Sequence, residues 1–253
     1  MRHVAAAAIF ALLAVPASAQ VAKSNQRPRT PIDRIFVSID GVYQTGGEDF
    51  TDSKTFVRNA EDGSFATNYS VESGPAFNVS GGVHLTQKLA VGVGVSRFSH
   101  STPTSITASV PHPFFFDRDR ALAGDIGGLT REELAVHVQA RLVIPVSRRL
   151  QATVFGGPSF FRVTQDIVND FTYTESYPFD TAALASTVTS SVNESALGFN
   201  VGADLSYFFT PQLGLGGTVQ VVGANVDMPS AGSGTVDASA GKLQAGAGLR
   251  LRF

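Results

Sequence analysis

The chain has 253 residues, including 25 glycines and 19 phenylalanines but no cysteine or tryptophan, and its formal net charge is −2. Without cysteine, neither a disulfide framework nor a thiolate metal site can form, and a charge near zero gives no support for nucleic-acid binding. Charged residues make up only 16% of the chain. At this length, such a composition favours one all-β domain over an enzyme of alternating helices and strands.

The N-terminal residues carry the pattern of an export signal. Residues 1–19 combine a basic start, an apolar run and a small-x-small motif, which predicts a signal peptide cleaved after Ala19. The apolar run is shorter than the about 20 residues that a membrane-spanning helix needs. Residues 20–32 are polar and basic and contain two prolines. They predict a flexible periplasmic segment before a domain at 33–253.

The rest of the chain repeatedly alternates apolar and polar side chains with period two, which is typical of β-strands. Eight segments show this alternation: 35–45, 71–86, 89–100, 132–145, 150–168, 195–209, 213–226 and 238–253. The fifth loses its phase at the Gly-Gly-Pro sequence of 156–158, which predicts a bulge or a bend. All eight segments are therefore predicted to be strands.

The connections between these strands alternate in length. Short ones near 86–88, 146–149 and 210–212 alternate with long ones at 46–70, 101–131, 169–194 and 227–237. Short turns at one end and long loops at the other, on an even number of antiparallel strands, are typical of bacterial outer-membrane barrels. We therefore predict an all-β, eight-stranded, antiparallel up-and-down transmembrane β-barrel with short periplasmic turns and long extracellular loops. A secreted β-sandwich is the structural alternative, and the first or third long loop could add another hairpin.

The last strand ends AGAGLRLRF, with Leu249, Leu251 and Phe253 on one face. Together with the export signal and the eight segments, this ending resembles the small eight-stranded outer-membrane barrels, a class that includes the transmembrane domain of the outer-membrane protein A family and the X-type barrels. The phrases VPHPFFFDRDR, LTREELAVHVQARLVIPV and FGGPSFFRVTQD also resemble uncharacterised barrel-domain proteins. The resemblance implies that the barrel-assembly machinery reads Leu249, Leu251 and Phe253. It also implies a monomer surrounded by outer-membrane lipid and lipopolysaccharide.

If the apolar faces contact lipid, the polar faces line a narrow interior. The ionisable side chains predicted to form a network there are Asp40, Glu72, Glu133, His137, Arg141, Asp204, Lys242, Arg250 and Arg252. Unpaired charges in such an interior are costly, so Asp204 is expected within ion-pair reach of Arg141 or Arg250. The network is interpreted either as a salt-bridged plug or as the lining of a narrow, gated pore.

The second long loop contains three consecutive aromatic residues, Phe114, Phe115 and Phe116, beside the charged residues of 117–120. One interpretation is a loop that folds back onto the barrel rim, with its aromatic rings near the lipid headgroups. The other is a contact site for a partner surface.

The sequence predicts neither a catalytic site nor a cofactor or metal site. The glycine pairs at 92–94 and 214–217 do not open a helix, the histidines occur singly, and there is no G-x-S-x-G motif. The favoured role is therefore non-enzymatic, in envelope integrity or surface interaction. A narrow passive channel for small polar solutes is the second hypothesis, and a lipid-modifying enzyme is the third.

Overall fold

The computed structural model describes residues 34–46, 48–232 and 234–253, and their regular structure is β-strand. The strands are β1 Ile35–Gln44, β2 Glu48–Arg58, β3 Glu61–Val71, β4 Gly74–His84, β5 Leu89–Pro111, β6 Asp119–Pro145, β7 Leu150–Glu175, β8 Ala182–Phe208, β9 Leu213–Pro229, β10 Thr235–Ala240 and β11 Leu243–Arg252. The predicted signal peptide, with Ala19, and the predicted segment 20–32 lie outside the described residues. Within the described part of the chain, no helix is long and apolar enough to cross a membrane.

Eight of the described strands close into a ring in which every neighbouring pair is antiparallel. The order around the ring is β1, β4, β5, β6, β7, β8, β9 and β11. β11 pairs back with β1 and places Ile39 opposite Leu249 and Asp40 opposite Gly248. The predicted eight-stranded antiparallel barrel is confirmed.

The outer surface of the ring carries an apolar band. On β6, alternate side chains from Leu134 to Ile144 are apolar and face outward, while the side chains between them face the interior. This stretch has the about 9–11 residues that a tilted transmembrane strand needs. Exposed aromatic side chains lie near the two edges of the band: Tyr43, Phe77, Phe160 and Phe199 at one, Tyr207, Phe209 and Phe253 at the other. Aromatic girdles of this kind flank the lipid-facing band of outer-membrane barrels.

Beyond the extracellular edge of the band, the pattern inverts. On β5 the outward positions change from Val95 to Arg97 and Ser99, and the inward positions become apolar at Ile106 and Val110. We call this part, residues 48–71, 97–132, 162–195 and 225–240, the extension. Its inward side chains form an apolar core of Phe65, Tyr69, Ile106, Ala108, Val110, Leu122, Ile126, Leu129, Ile167, Val168 and Phe171. The extension is therefore packed like a water-soluble β-structure, with apolar groups inside.

The extension corrects the predicted loop boundaries. Most of the predicted loops 101–131 and 169–194 continue β5 to β8 as paired strands, leaving turns at 112–118 and 176–181. The first predicted loop contains the β2–β3 hairpin, which pairs with β5 outside the ring. The third predicted loop adds no further hairpin among the described strands. β10 begins in the last predicted loop, includes the first residues of the eighth predicted strand, and pairs with β9.

Tyr69 ties the β2–β3 hairpin to the rest of the extension. Its hydroxyl accepts a hydrogen bond from the Val168 amide at 2.9 Å, and its ring stacks on Phe50 with a centroid separation of 4.8 Å. Burial raises the pKa of Tyr69 to about 12. The phenol therefore stays neutral at physiological pH, as its place in an apolar core requires.

Candidate functional site

Polar side chains fill the interior of the ring in two layers. The lower layer, nearer the short turns, centres on Arg250. Its Nη1 donates to Asp40 Oδ1 at 2.7 Å, and its Nε donates to Asp204 Oδ2 at 2.9 Å, with Nη2 bonded to the same oxygen. Asp204 also accepts a hydrogen bond from Ser206. Gly216 leaves room for this guanidinium, because a Cβ there would lie 2.7 Å from Arg250 Nε.

Arg141 balances the charge of the lower layer. Its guanidinium carbon lies 4.5 Å from the ring centroid of Phe36 and 5.0 Å from that of Phe155. Its Nη1 donates to Gln139 Oε1 at 3.2 Å and to Ser80 Oγ at 3.3 Å. The layer thus holds two carboxylates and two guanidiniums, so that its formal charges cancel, as buried charges require.

The upper layer, nearer the extension, centres on Glu133. Its Oε1 accepts a hydrogen bond from Arg131 Nε at 2.8 Å, and its Oε2 accepts from Gln44 Nε2 and the Gly241 amide, both at 3.0 Å. Hydrogen bonds among Gln44, Asn78, Gln220 and Gln244 continue the layer across the lumen. Both oxygens of the Glu133 carboxylate therefore accept hydrogen bonds from groups inside the barrel.

His137 lies between the two layers. Its Nε2 is 2.9 Å from Ser96 Oγ and its Nδ1 is 2.7 Å from Ser159 Oγ, and the ring is buried. The adjacent cavity measures about 30 Å³, which holds about two waters at most. Side chains, rather than an open passage, occupy this level of the lumen.

The structure brings together six of the nine side chains predicted for the lumen: Asp40, Glu133, His137, Arg141, Asp204 and Arg250. Asp204 is bonded to Arg250. The structure corrects the placement of Glu72, which lies between β3 and β4 with a side chain that is 58% exposed and 3.5 Å from His100 Nε2. The strand predicted from residue 71 begins only at Gly74, so Glu72 belongs to a solvated turn.

Lys242 and Arg252 lie near opposite ends of the barrel. The Lys242 ammonium donates to Ser239 Oγ at 3.0 Å, between β10 and β11. Arg252 Nε donates to the Pro211 carbonyl at 2.5 Å, and its guanidinium lies over the Phe208 ring at 4.0 Å. The alternation of the last strand aims Arg252 inward, but Arg252 is opposite Phe36, four residues from Asp40 along β1, so it lies on the periplasmic side of the lower layer.

The predicted assembly signal occupies the outer face of β11. Leu249 and Phe253 are exposed, and Leu251 between them is partly exposed. They alternate with the inward-facing Arg250, as the last strand of a lipid-embedded barrel requires. Their reading by assembly machinery stays a prediction.

Five aromatic side chains lie on the two turns at the end of the extension, and we call them the aromatic tip: Phe114, Phe115, Phe116, Tyr177 and Phe179. The rings of Phe114 and Phe179 meet across the two turns with centroids 5.4 Å apart. Arg118 covers the Phe115 ring at 5.5 Å and binds Asp180 Oδ1 at 2.9 Å. Contacts between the β5–β6 turn and the β7–β8 turn therefore order the tip.

The position of the aromatic tip excludes one of the two interpretations of the Phe114–Phe116 loop. Strand β5 continues for fourteen residues beyond Arg97, which lies at the edge of the band, and ends at Pro111. At about 3.3 Å per residue this is about 46 Å along the strand, or about 35 Å above the band at a tilt of about 40°. The aromatic rings cannot reach the headgroups at the rim of their own barrel.

Sequence reasoning missed several side chains of the lumen. Arg131, the partner of Glu133, was assigned to a loop. The uncharged amides Gln44, Asn200 and Gln220 were placed on polar strand faces but not in the predicted network, and Gln244 was not identified. Arg131 precedes Glu133 by two residues, so a strand extended by one alternation would have placed both on the inner face.

Comparison with known proteins gives the family. Residues 5–250 match the outer membrane protein beta-barrel domain. Among solved structures, Neisserial surface protein A is similar at a TM-score of 0.43 and 13% identity, covering 87% of this chain and 97% of that one. OprG from Pseudomonas aeruginosa has a TM-score of 0.44 and 11% identity, covering 87% of this chain and 95% of that one. The outer membrane protease OmpT from Escherichia coli has a TM-score of 0.43 and 9% identity, covering 91% of this chain and 100% of that one. No curated protein sequence matches the chain. Since the family match spans nearly the whole sequence, the chain belongs to the outer membrane protein beta-barrel domain family and is a protein of the bacterial outer membrane.

Proposed function

We propose that the protein is a non-enzymatic outer-membrane barrel that contacts another surface through its aromatic tip, with the filled barrel as the anchor of the extension. The observation that carries this proposal is the exposure of the tip. Phe116 is 72% exposed and Tyr177 86% exposed, although clustered aromatic rings are ordinarily buried. Exposed apolar clusters on folded proteins usually mark contact sites.

The order of the tip supports a binding role. The rings are already packed across two turns, and the Arg118–Asp180 ion pair joins those turns at 2.9 Å. Aromatic side chains supply large contact areas at little cost in conformational entropy. A surface that meets the tip would therefore lose little of the binding free energy to ordering it.

The filled lumen supports an anchoring role over the channel hypothesis. Between the layers, the cavity of about 30 Å³ is too small for a hydrated ion to pass without displacing charged side chains. Displacing Arg250 would leave Asp40 and Asp204 unpaired, at a cost of several kcal/mol. The barrel thus has the rigidity expected of a component that contributes to envelope integrity.

The placement of the serine–histidine contacts supports a non-enzymatic role. His137 contacts Ser96 and Ser159 inside the barrel, away from lipid. His100, which the sequence places between two serines, contacts Glu72, while Ser101 bonds to Thr130. A change in lipid A mass that depends on expression of the protein would contradict this part of the proposal.

Planar-bilayer recording tests the anchoring role. The purified, folded protein is expected to give no discrete current steps, because the two layers close the lumen. Discrete openings whose ion selectivity changes in Asp204→Ala would show that the lumen conducts, and the channel hypothesis would replace the proposal.

Adhesion of intact cells tests the tip. The variant F114S/F115S/F116S is expected to reduce retention of expressing cells on an apolar-coated surface by about tenfold, since three exposed rings are lost. Val57→Ser, at the end of the neighbouring hairpin, where Val57 is 73% exposed, is the matched control and should leave retention unchanged. Equal retention of the two variants, at equal surface expression, would refute a contact role for the tip.

A further inference from the structure

A second feature lies on the outer face of the barrel, at the extracellular edge of the apolar band. Here Phe77, Arg97, Leu134 and Arg162 lie side by side on β4, β5, β6 and β7, each opposite the next in the strand register. We call these four residues the arginine row. All four face outward and are exposed.

The depth of the arginine row places it among lipid headgroups. Below it the outward positions are apolar, with Val95 and Phe160 as the nearest on their strands. Above it the nearest outward residues are Ser99 on β5, Glu132 and then Thr130 on β6, and Thr164 on β7, while Ser195 on β8 lies level with Arg162. Two guanidiniums at the level where the apolar surface ends are therefore in reach of groups that sit between acyl chains and water.

The arginines of the row have unused capacity to bind an anion. Arg97 has one ion pair, a contact of 3.6 Å with Glu132 in which the Arg97 side chain is 64% exposed, and such exposed pairs contribute little. Among the described residues, Arg162 forms no ion pair. With Leu134 between them, the two arginine Cα atoms are about 10 Å apart, so both side chains can converge on one headgroup.

The two guanidinium groups of the row favour a phosphate as the bound anion. A guanidinium presents paired N–H groups that match phosphate oxygens, and such charge-assisted bonds are about twice as strong as neutral ones. The hydroxyls above the row can donate to further headgroup oxygens, and the exposed rings of Phe77 and Phe160 can contact acyl chains below it. A ligand that meets all three zones must be amphipathic.

We propose that the arginine row is a binding site for the phosphate-bearing headgroup of an outer-leaflet lipid. Arg97 and Arg162 bind the phosphate, the hydroxyls above them contact the polar headgroup, and Phe77, Leu134 and Phe160 contact its acyl chains. This site is separate from the aromatic tip and does not depend on the function proposed for it.

Native mass spectrometry of the folded protein, released from phosphatidylcholine nanodiscs and titrated with lipid A, tests the site. The wild type is expected to retain lipid A, and R97Q/R162Q to bind it about tenfold more weakly, because two charge-assisted contacts are lost. R97K/R162K, which keeps the charges but loses the paired geometry, should bind with intermediate affinity. R148Q/R149Q, the matched control at the periplasmic turn, should bind within about twofold of the wild type.

Two further arms identify the source of the phosphate. Lipid A from which the phosphates have been removed should bind the wild type and R97Q/R162Q alike, and inorganic phosphate alone should not compete with lipid A. Equal binding of lipid A by the wild type and R97Q/R162Q would overturn the proposal, as would undiminished binding of the dephosphorylated lipid. Full competition by inorganic phosphate would also overturn it, because the ligand would then be an ion rather than a lipid. A heat-dependent shift in gel mobility confirms for each variant that the barrel is folded.

Discussion

Gly248→Val is expected to prevent closure of the barrel, so that little folded protein is recovered after refolding into lipid vesicles. Gly248 lies opposite Asp40 in the closing seam. A Cβ at residue 248 would overlap the Ile39 carbonyl and lie 2.7 Å from the Asp40 Cα. β1 cannot move aside, because it is paired with β4 on its other edge. We expect a loss of more than about 4 kcal/mol. The heat-dependent gel shift gives the folded fraction.

Gly41→Val is the matched control for this substitution. Gly41 lies in the same seam, opposite Ala247, but faces outward, and among the described residues no heavy atom lies within 4 Å of its Cβ position. Valine is favoured in β-strands and on a lipid-facing surface, so the Gly41→Val variant should fold as well as the wild type. Equal folding of both variants would mean that the seam is looser than the structure shows.

Arg250→Met is the second substitution with a large expected effect. It leaves Asp40 and Asp204 buried in the lower layer without the guanidinium that bridges them. Removing one member of a buried ion pair costs about 3–5 kcal/mol, because the remaining charge is uncompensated. Equilibrium unfolding by urea in lipid vesicles measures this loss as a change in the free energy of unfolding.

The quadruple variant D40N/R141M/D204N/R250M separates the charge effect from the loss of packing. Neutralising all four ionisable groups of the lower layer leaves no uncompensated charge, and buried ion pairs replaced by neutral groups of similar volume are often no less stable. We therefore expect the quadruple variant to unfold within about 2 kcal/mol of the wild type. If Arg250→Met and the quadruple variant were equally destabilised, the shape of Arg250, rather than its charge, would hold the layer together.

The ring could be predicted from the sequence because its pattern is simple. An apolar outer face and a polar or glycine-rich inner face alternate without interruption over segments such as 134–144, and the short turns mark the strand ends. The lower layer could be predicted for the same reason. Asp204 and Arg250 stand among small residues on inner faces, and a narrow interior forces opposite charges together.

The extension could not be predicted in the same way because its strands face apolar side chains inward and polar side chains outward, the reverse of the membrane-embedded ring. Its outward positions are serine and threonine, and its inward positions are aliphatic, as in 105–110. On β5 the apolar outward positions end before Arg97, so the residues that follow were predicted to form a loop. Which charges meet inside also depends on register. Glu72 was placed in the lumen because the predicted strand begins three residues too early, and Arg131 was missed because the next predicted strand but one begins at residue 132, one residue too late.

The inversion of the pattern at the edge of the band also gives the protein a direction. The core around Ile106 and Phe171 can form only where its polar outer face meets water, since unpaired polar groups are not tolerated in the bilayer. Once the hairpins have crossed and packed, drawing them back would require unpacking that core and desolvating its hydroxyl-rich surface together. The folded extension therefore opposes return of the chain through the membrane and holds the barrel in one orientation.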